Sequence, residues 1–308
     1  MIRNRRLLGA AFLLPIGLAA APARAAIPPA VDAMIREAAR NGDDATLAAV
    51  VKVAKATNPG DADEIGKLAS SLQSEQKAAA EKARKEKLAT QGFFQGWKGE
   101  GQLGVGLSSG NTSETSAVLG LKLDRQGLHV RHKFSGLVDY LRTNGETTRE
   151  KYGLGYELDV ALGKRFSMVG TLGWERDKFA GYAYRFTESL GLGYQVIKQS
   201  NMTLDLSAGP ALRQTRYIVI ADGSEDGLAG RGSLDWRWTM RPGIVLTENA
   251  SGLAEQYDTT LISTTALTAK LNGRLSGRLS YNVQHETDPP VGLKSTDTAT
   301  RATLVYGF

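Results

Sequence analysis

The chain has 308 residues, a formal net charge of +6 and no cysteine. The lack of cysteine excludes disulfide frameworks, thiol catalysis, cysteine-based zinc sites and lipoprotein acylation. Four arginines lie in the first 25 residues, and without them the charge falls from +6 to +2. No basic stripe with interleaved aromatic residues follows, so we expect no nucleic-acid partner.

The first 25 residues have the three parts of a secretory signal peptide. A start with three arginines precedes an apolar run over residues 7–21, and Ala23 and Ala25 supply small residues for cleavage. The apolar run of about 15 residues is too short for a membrane-spanning helix, which needs about 20. We predict cleavage after Ala25 and export from the bacterial cytoplasm.

Residues 26–96 are rich in alanine and charged side chains, and their pattern is helical. Periodicity and N-cap residues predict helices near 29–40, 44–56 and 61–88. The apolar stripe of the third helix fades into the charged run 77–87, which is typical of a solvated helix. We expect a periplasmic helical segment and hinge, with peptidoglycan, a periplasmic partner or the barrel mouth as its candidate contacts through residues 26–90.

From residue 97 onward the hydrophobic period changes to two. Tyr152 and Leu154 share one face of a strand, while Glu157 and Asp159 share the other. Short connections alternate with generally longer ones, which is typical of outer-membrane barrels. Residues 97–308 therefore predict an all-β, up-and-down antiparallel transmembrane β-barrel after the short α-helical N-terminal segment. About twelve strands are expected, near 97–108, 115–124, 128–142, 149–162, 166–178, 183–197, 203–216, 228–240, 244–256, 259–271, 274–286 and 296–308.

Aromatic residues and the last strand favour an outer-membrane location. Leu304, Tyr306 and Phe308 share one face of the final strand, and the chain ends on the Phe308 ring. This ending resembles the assembly signal of outer-membrane barrels, so we expect the barrel-assembly machinery, outer-membrane lipids and lipopolysaccharide as partners. Aromatic residues near strand ends predict two interfacial girdles; they are Tyr140, Phe166, Trp174, Tyr182, Tyr184, Tyr194, Tyr217, Tyr257 and Tyr306.

Several short motifs in residues 97–308 carry a more specific resemblance. They are Trp97-Lys98-Gly99, Ser109-Gly110-Asn111-Thr112, Trp174-Glu175-Arg176-Asp177-Lys178-Phe179, Gly191-Leu192-Gly193-Tyr194, Asp288-Pro289-Pro290, Asp297-Thr298 and Tyr306-Gly307-Phe308. In these motifs the chain resembles the salt-induced outer-membrane protein family, a bacterial β-barrel domain family of unknown function. The resemblance implies the barrel fold. The helices before Gln91 lie outside it.

Charged residues on the polar face of the predicted strands are candidates to line the barrel lumen. One interpretation is a network of paired charges that fills a narrow barrel. The other is a small water-filled channel for solutes or ions, with its later arginines favouring anions. Both interpretations stay open. The candidates are Arg131, Lys133, Asp139, Lys151, Glu157, Asp159, Glu175, Asp177, Arg213, Arg231, Asp235, Arg237, Arg274, Arg278 and Arg301.

The sequence offers little for catalysis. His129 and His132 point to opposite faces of a strand, so they cannot together bind a metal. His132 and His285 share the outward face, and we expect both near a barrel rim. We therefore expect no enzyme and no cofactor, and favour a narrow channel or an envelope-stabilising structural protein. The alternatives are an outer-membrane lipid hydrolase and a soluble periplasmic β-sandwich binding protein.

Overall fold

The computed structural model describes residues 27–41, 43–108, 113–218, 223–289 and 294–308. The predicted signal peptide lies outside these residues, as do the family motif at 109–112 and Pro290 of another motif. The chain divides into two compact units, Met1–Glu86 and Lys87–Phe308, and each is described by itself.

The first unit is helical. The α-helices are α1 Pro29–Arg40, α2 Asp44–Thr57 and α3 Ala62–Thr90, with a short 3-10 turn at Pro59–Asp61. These bounds agree with the predicted helices to within two residues. None of the described helices has both the length and the apolar character needed to cross a membrane.

A small apolar core and an N-cap hold the helical unit together. Ile35 of α1 and Ile65 of α3 are fully buried in it, beside Leu47 of α2. The Asp43 carboxylate accepts hydrogen bonds from the backbone N–H of Ala45 at 2.9 Å and of Thr46 at 3.4 Å. These bonds satisfy amides that the first turn of α2 would otherwise leave unpaired.

The second unit is a closed barrel of twelve antiparallel strands within the described residues. Each strand pairs with its neighbours in sequence, and β1 pairs with β12 through the register Leu103↔Leu304. The predicted up-and-down barrel is confirmed, and the sandwich alternative is wrong because no sheet edge separates β1 from β12. The strands are β1 Trp97–Ser108, β2 Glu114–Gln126, β3 Val130–Thr143, β4 Glu146–Ala161, β5 Phe166–Asp177, β6 Tyr182–Lys198, β7 Met202–Tyr217, β8 Ser224–Arg241, β9 Ile244–Ala254, β10 Thr259–Lys270, β11 Leu275–Glu286 and β12 Thr296–Gly307.

The two ends of the barrel differ in their connections. One end, here called the terminal end, holds Trp97, Phe308 and five short turns between strands. The opposite, far end holds longer connections, such as residues 218–223 between β7 and β8. It also holds one tight turn at Asn144 and Gly145, whose φ angles of 51° and 85° suit a two-residue hairpin of type I′.

Side chains alternate between the lumen and the outer surface along every strand. On β12, Leu304, Tyr306 and Phe308 are exposed on the outside, while Thr303 and Val305 are buried inside. The outward strand positions are mostly apolar, and the inward ones carry most of the charge. This pattern is the inverse of a soluble protein and matches a barrel with lipid outside and polar groups within.

The aromatic girdle prediction is wrong at two tyrosines. Tyr182 is 0% exposed and points inward, because the pairing register shifts between Tyr182 and Tyr184 and reverses the alternation. Tyr217 shares the inward side of β7, and its hydroxyl donates to Glu225 at 3.0 Å. The other predicted girdle residues within strands face outward, and Tyr257 lies exposed in a loop.

Residues 91–96 are bound to the terminal end of the barrel. The buried guanidinium of Arg125 donates to the carbonyls of Gln91 at 3.3 Å, Gly92 at 3.1 Å and Gln95 at 3.1 Å. The Phe93 ring lies under the same guanidinium, 5.5 Å from Cζ to the ring centre. Arg125 therefore orders the segment that leads into β1.

Candidate functional site

The lumen is the candidate site, because strand alternation gathers charged side chains there. Its central feature is a contact between walls that face each other. Arg185 on β6 donates from Nη1 to Oε1 of Glu286 on β11 at 2.8 Å. Four strands separate β6 from β11 on one side of the barrel and six on the other, so this ion pair crosses the lumen.

A second contact crosses the lumen beside the first. Lys151 on β4 donates from Nζ to Oε1 of Gln284 on β11 at 3.1 Å. Gln284 in turn donates to Glu286 at 3.3 Å, which joins the two crossings. We call Lys151, Glu175, Tyr182, Arg185, Gln284 and Glu286 the lumen bridge.

Tyr182 and Glu175 support the bridge from the β5–β6 wall. The Tyr182 hydroxyl donates to Oε2 of Glu175 at 3.1 Å, and Lys151 forms an ion pair with the same oxygen at 3.5 Å. The Arg185 guanidinium stacks on the Tyr182 ring, with Cζ 4.2 Å from the ring centre. Because the ring is fully buried, it holds the guanidinium in a position from which it reaches across the lumen.

A neighbouring arginine joins β7 to β10 near the far end of the barrel. Arg213 donates from Nη1 to Glu255 at 2.8 Å and to the Thr260 hydroxyl at 2.9 Å. Glu255 lies in the loop after β9, where burial raises the pKa of its carboxyl group and the Arg213 charge opposes that rise.

A third cluster lies between β12, β3 and β4. The carboxylate of Asp139 is 3% exposed and pairs with Arg301 and, at 3.8 Å, with Arg149. A buried carboxylate needs such partners, because desolvation without pairing is costly.

Ion pairs nearer the terminal end join adjacent or next-nearest strands rather than opposite walls. Lys133 pairs with Glu157 and, at 3.3 Å, with Asp159 on the neighbouring strand. Arg278 reaches Glu100 of β1 at 2.9 Å. Arg131 similarly pairs with Asp124 across the β2–β3 register. These pairs line the wall and leave the centre of the lumen uncrossed.

Five residues that were predicted to line the lumen take no part in the ion pairs described above. Arg274 lies in the β10–β11 turn and donates to the outward Tyr306 hydroxyl at 3.1 Å, so its placement in the lumen is wrong. Alternation does not extend past the end of a strand. Asp177 accepts the N–H of residues 179 and 180 and caps a turn. Arg231, Asp235 and Arg237 face inward on β8 with no ion pair to any described residue.

Tyr182, Arg185, Gln284 and Glu286 of the lumen bridge are absent from the predicted set. Simple alternation could have found three of them. Arg185 is an even number of residues away from the inward Gly191, and Gln284 and Glu286 are an even number away from the inward Arg278. Tyr182 had no such signal, because the bulge that turns it inward leaves no mark in the hydrophobic pattern. No sequence pattern could have paired β6 with β11.

The histidines do not form a hydrolase site with the residues that the structure describes. Nδ1 of His132 lies 2.8 Å from the Tyr156 hydroxyl, in an outward aromatic cluster with Phe93. Nδ1 of His285 lies 2.8 Å from the Thr296 hydroxyl. Among the described residues neither ring hydrogen-bonds to a serine, so these hydrogen bonds link no serine nucleophile to either histidine. No cluster of metal-binding side chains is found in the described ranges.

An apolar outer surface, a charged interior and full closure of twelve strands define a transmembrane β-barrel of the outer-membrane type. The chain belongs to the family described as "Protein of unknown function, DUF481", whose pattern matches residues 101–308, about two thirds of its length.

A curated relative and two solved structures show similarity to the chain. The "Uncharacterized protein YdiY" of Escherichia coli K12 is 27% identical over 212 residues, covering 68% of this chain and 83% of the relative. The translocator domain of the autotransporter NalP from Neisseria meningitidis is 12% identical with a TM-score of 0.41, covering 76% of this chain and 95% of that one. An outer membrane channel from Pseudomonas putida F1 is 11% identical with a TM-score of 0.40, covering 69% and 94%.

Proposed function

We propose that this protein is exported, inserts into the bacterial outer membrane and forms a narrow ion channel whose constriction is the lumen bridge. The observation that carries the proposal is the Arg185–Glu286 ion pair, which spans between opposite walls at 2.8 Å. A twelve-strand barrel is wide enough for a passage only where its side chains leave room. In this proposal the lumen bridge sets the minimum width of the passage through the barrel.

The proposed orientation follows from the connections between strands. Outer-membrane barrels have short periplasmic turns and longer external loops. The terminal end, with Trp97 and Phe308, would then face the periplasm, and the lumen bridge would lie toward the outside. Chain connectivity would leave the helical residues before β1 on the periplasmic side, available to peptidoglycan or a protein partner.

Ion selectivity should be weak. The inward charges without an ion pair to a described residue include both signs, which opposes a strong preference for anions. Examples are Lys122, Arg231 and Arg237 on the positive side and Asp205, Asp235 and Asp297 on the negative side.

Planar-bilayer recording tests the channel and its constriction together. The wild-type protein should give small conductance steps, and the double variant Arg185→Ala with Glu286→Ala should give larger ones. The matched control is Asp124→Ala with Arg131→Ala, a pair between adjacent strands, which should leave the step size unchanged. Silence of both the wild-type protein and the bridge variant would overturn the proposal.

The ion pair across the lumen also favours a second candidate, a filled barrel that stabilises the envelope. Paired charges across a lumen hold opposite walls together. This candidate predicts that the bridge variant stays silent in the bilayer while cells lacking the protein become more sensitive to detergent. The bilayer recording therefore separates the two functions.

A further inference from the structure

The outer surface of the barrel is asymmetric. On β2–β7 the outward positions are mostly large and apolar, as at Leu121, Leu154 and Leu192. On β9–β12 the outward positions in the middle of the strands carry hydroxyl groups and one carboxyl group. We call this surface the polar wall; it consists of Glu248, Ser263, Thr265, Tyr281, Thr298 and Thr300.

Strand register makes the polar wall continuous. Glu248 is directly opposite Thr265, Thr265 opposite Tyr281, and Tyr281 opposite Thr300, so one polar row crosses four strands. Ala250, Ser263 and Thr298 lie on the far-end side of the row, and Leu246, Leu267 and Leu279 lie on its terminal-end side.

The polar row lies within the depth of the bilayer. Glu248 is four residues from the terminal end of β9, and Thr300 is seven from that end of β12. A strand rises about 3.4 Å per residue and tilts by about 45°, which places the row about 10–17 Å above the terminal end. The apolar belt of such barrels is about 25 Å tall, so lipid tails would face these polar groups.

The hydrogen bonds of the polar wall are incomplete within one chain. The Glu248 carboxylate accepts hydrogen bonds from the Ser263 and Thr265 hydroxyls. A carboxylate has about four acceptor positions, so further capacity remains. The hydroxyls of Tyr281 and Thr300, both exposed, make no hydrogen bond with any residue that the structure describes. Lipid tails cannot supply the missing partners.

We propose that the polar wall is the interface with a second copy of this chain in the membrane. A twofold axis through the wall would bring the donors of β11–β12 in one copy to the Glu248 carboxylate in the other, so the surface is self-complementary. Between membrane helices, hydrogen bonds from hydroxyl side chains stabilise association, and the exposed hydroxyls of the polar wall could form the same kind of bond. The four strands of the polar wall, about 4.8 Å apart, and a belt about 25 Å tall would bury about 1,000 Å² in total, at the lower limit for a specific interface.

Cysteine cross-linking in native membranes tests the interface, because the chain contains no cysteine. Single variants Thr265→Cys, Tyr281→Cys and Thr300→Cys are oxidised and compared with Leu172→Cys and Leu192→Cys on the opposite side. We expect a reducible dimer from at least one polar-wall position and none from the controls. No dimer at any position, equal dimer on both sides, or cross-links only to another protein would overturn the proposal.

A second measurement separates association from folding. Glu248→Leu should raise the dimer dissociation constant in lipid nanodiscs at least tenfold, as measured by mass photometry. The matched control is Glu188→Leu, which removes an outward carboxyl between Leu172 and Leu212 and should change nothing. Heat-modifiable gel mobility confirms that each variant forms a barrel. An unchanged dissociation constant for folded Glu248→Leu protein would contradict the proposal, whether or not the lumen conducts.

Discussion

The phenyl ring of Phe308 covers the α-carbon of Gly99 on the neighbouring strand, at the seam where the barrel closes. The Gly99 N–H donates to the Phe308 carbonyl at 2.8 Å, and the Phe308 N–H donates to the Gly99 carbonyl at 2.9 Å. A β-carbon at residue 99 would occupy the space of the ring. The last residue of the chain thus pairs with and packs against the start of β1.

Gly99→Val should weaken this seam. The valine side chain would collide with Phe308, and overpacking of this kind typically costs about 1–3 kcal/mol. The fraction of protein that resists SDS without heating measures the effect. Gly101→Val is the control, since a β-carbon at Gly101 has no neighbour within 4 Å and should leave that fraction unchanged.

Deletion of Phe308 should impair insertion in cells. We expect less barrel in the outer-membrane fraction, because the outward ring covers Gly99 at the seam between β1 and β12. Phe166→Ala removes an outward aromatic ring at the same end of the barrel and serves as control. Equal membrane levels for all three proteins would speak against a role in assembly.

The Arg185–Glu286 pair should show strong coupling in a double-mutant cycle. Glu286→Ala alone leaves a buried guanidinium without its carboxylate, and breaking a buried pair costs about 3–5 kcal/mol. The double alanine variant should lose clearly less than the sum of the single losses. Urea unfolding followed by tryptophan fluorescence measures the four free energies; additive losses would contradict a direct pair.

Arg125→Lys should release residues 91–96 from the barrel. A lysine cannot match the three carbonyl contacts of the planar guanidinium or its stacking on Phe93. Limited proteolysis should then cut this segment faster than in the wild-type protein. Arg131→Lys, at the same end of the barrel, should leave the cleavage rate unchanged.

The N-cap of α2 should depend on pH. The Thr46 hydroxyl and the amides of Ala45 and Thr46 hold the pKa of Asp43 below its ordinary value. The stabilisation is therefore complete above the ordinary aspartate pKa of about 3.9 and is lost as the pH falls through the lower folded-state pKa. The Ala45 amide should lose protection from hydrogen exchange over this range, relative to the intrinsic exchange rate at each pH. Asp43→Asn keeps a capping oxygen and should remove the pH dependence.

Much of the fold could be predicted from local pattern. Helical periodicity located α1, α2 and α3, and the change to a period of two at Trp97 located all twelve strands to within four residues. Both patterns depend on neighbouring residues and on which face meets lipid or water. The largest difference, at the start of β8, arises because Ser224 and its neighbours extend the hairpin with polar residues that carry no hydrophobic signal.

Alternation also assigned most inward charges, but it failed at irregular positions. The register shift beside Tyr184 turned Tyr182 into the lumen, and the turn at Arg274 took that residue out of it. Each error lies where the backbone departs from regular strand geometry.

The amino-acid sequence by itself determined a helical segment followed by an antiparallel barrel with charges inside, because alternation is a property of residues next to one another. Only the tertiary structure decided that Arg185 meets Glu286 and that Glu248, Thr265, Tyr281 and Thr300 form one row. These contacts join residues far apart in the chain. They depend on strand register and on the closure of β1 onto β12, which place distant residues at the same level.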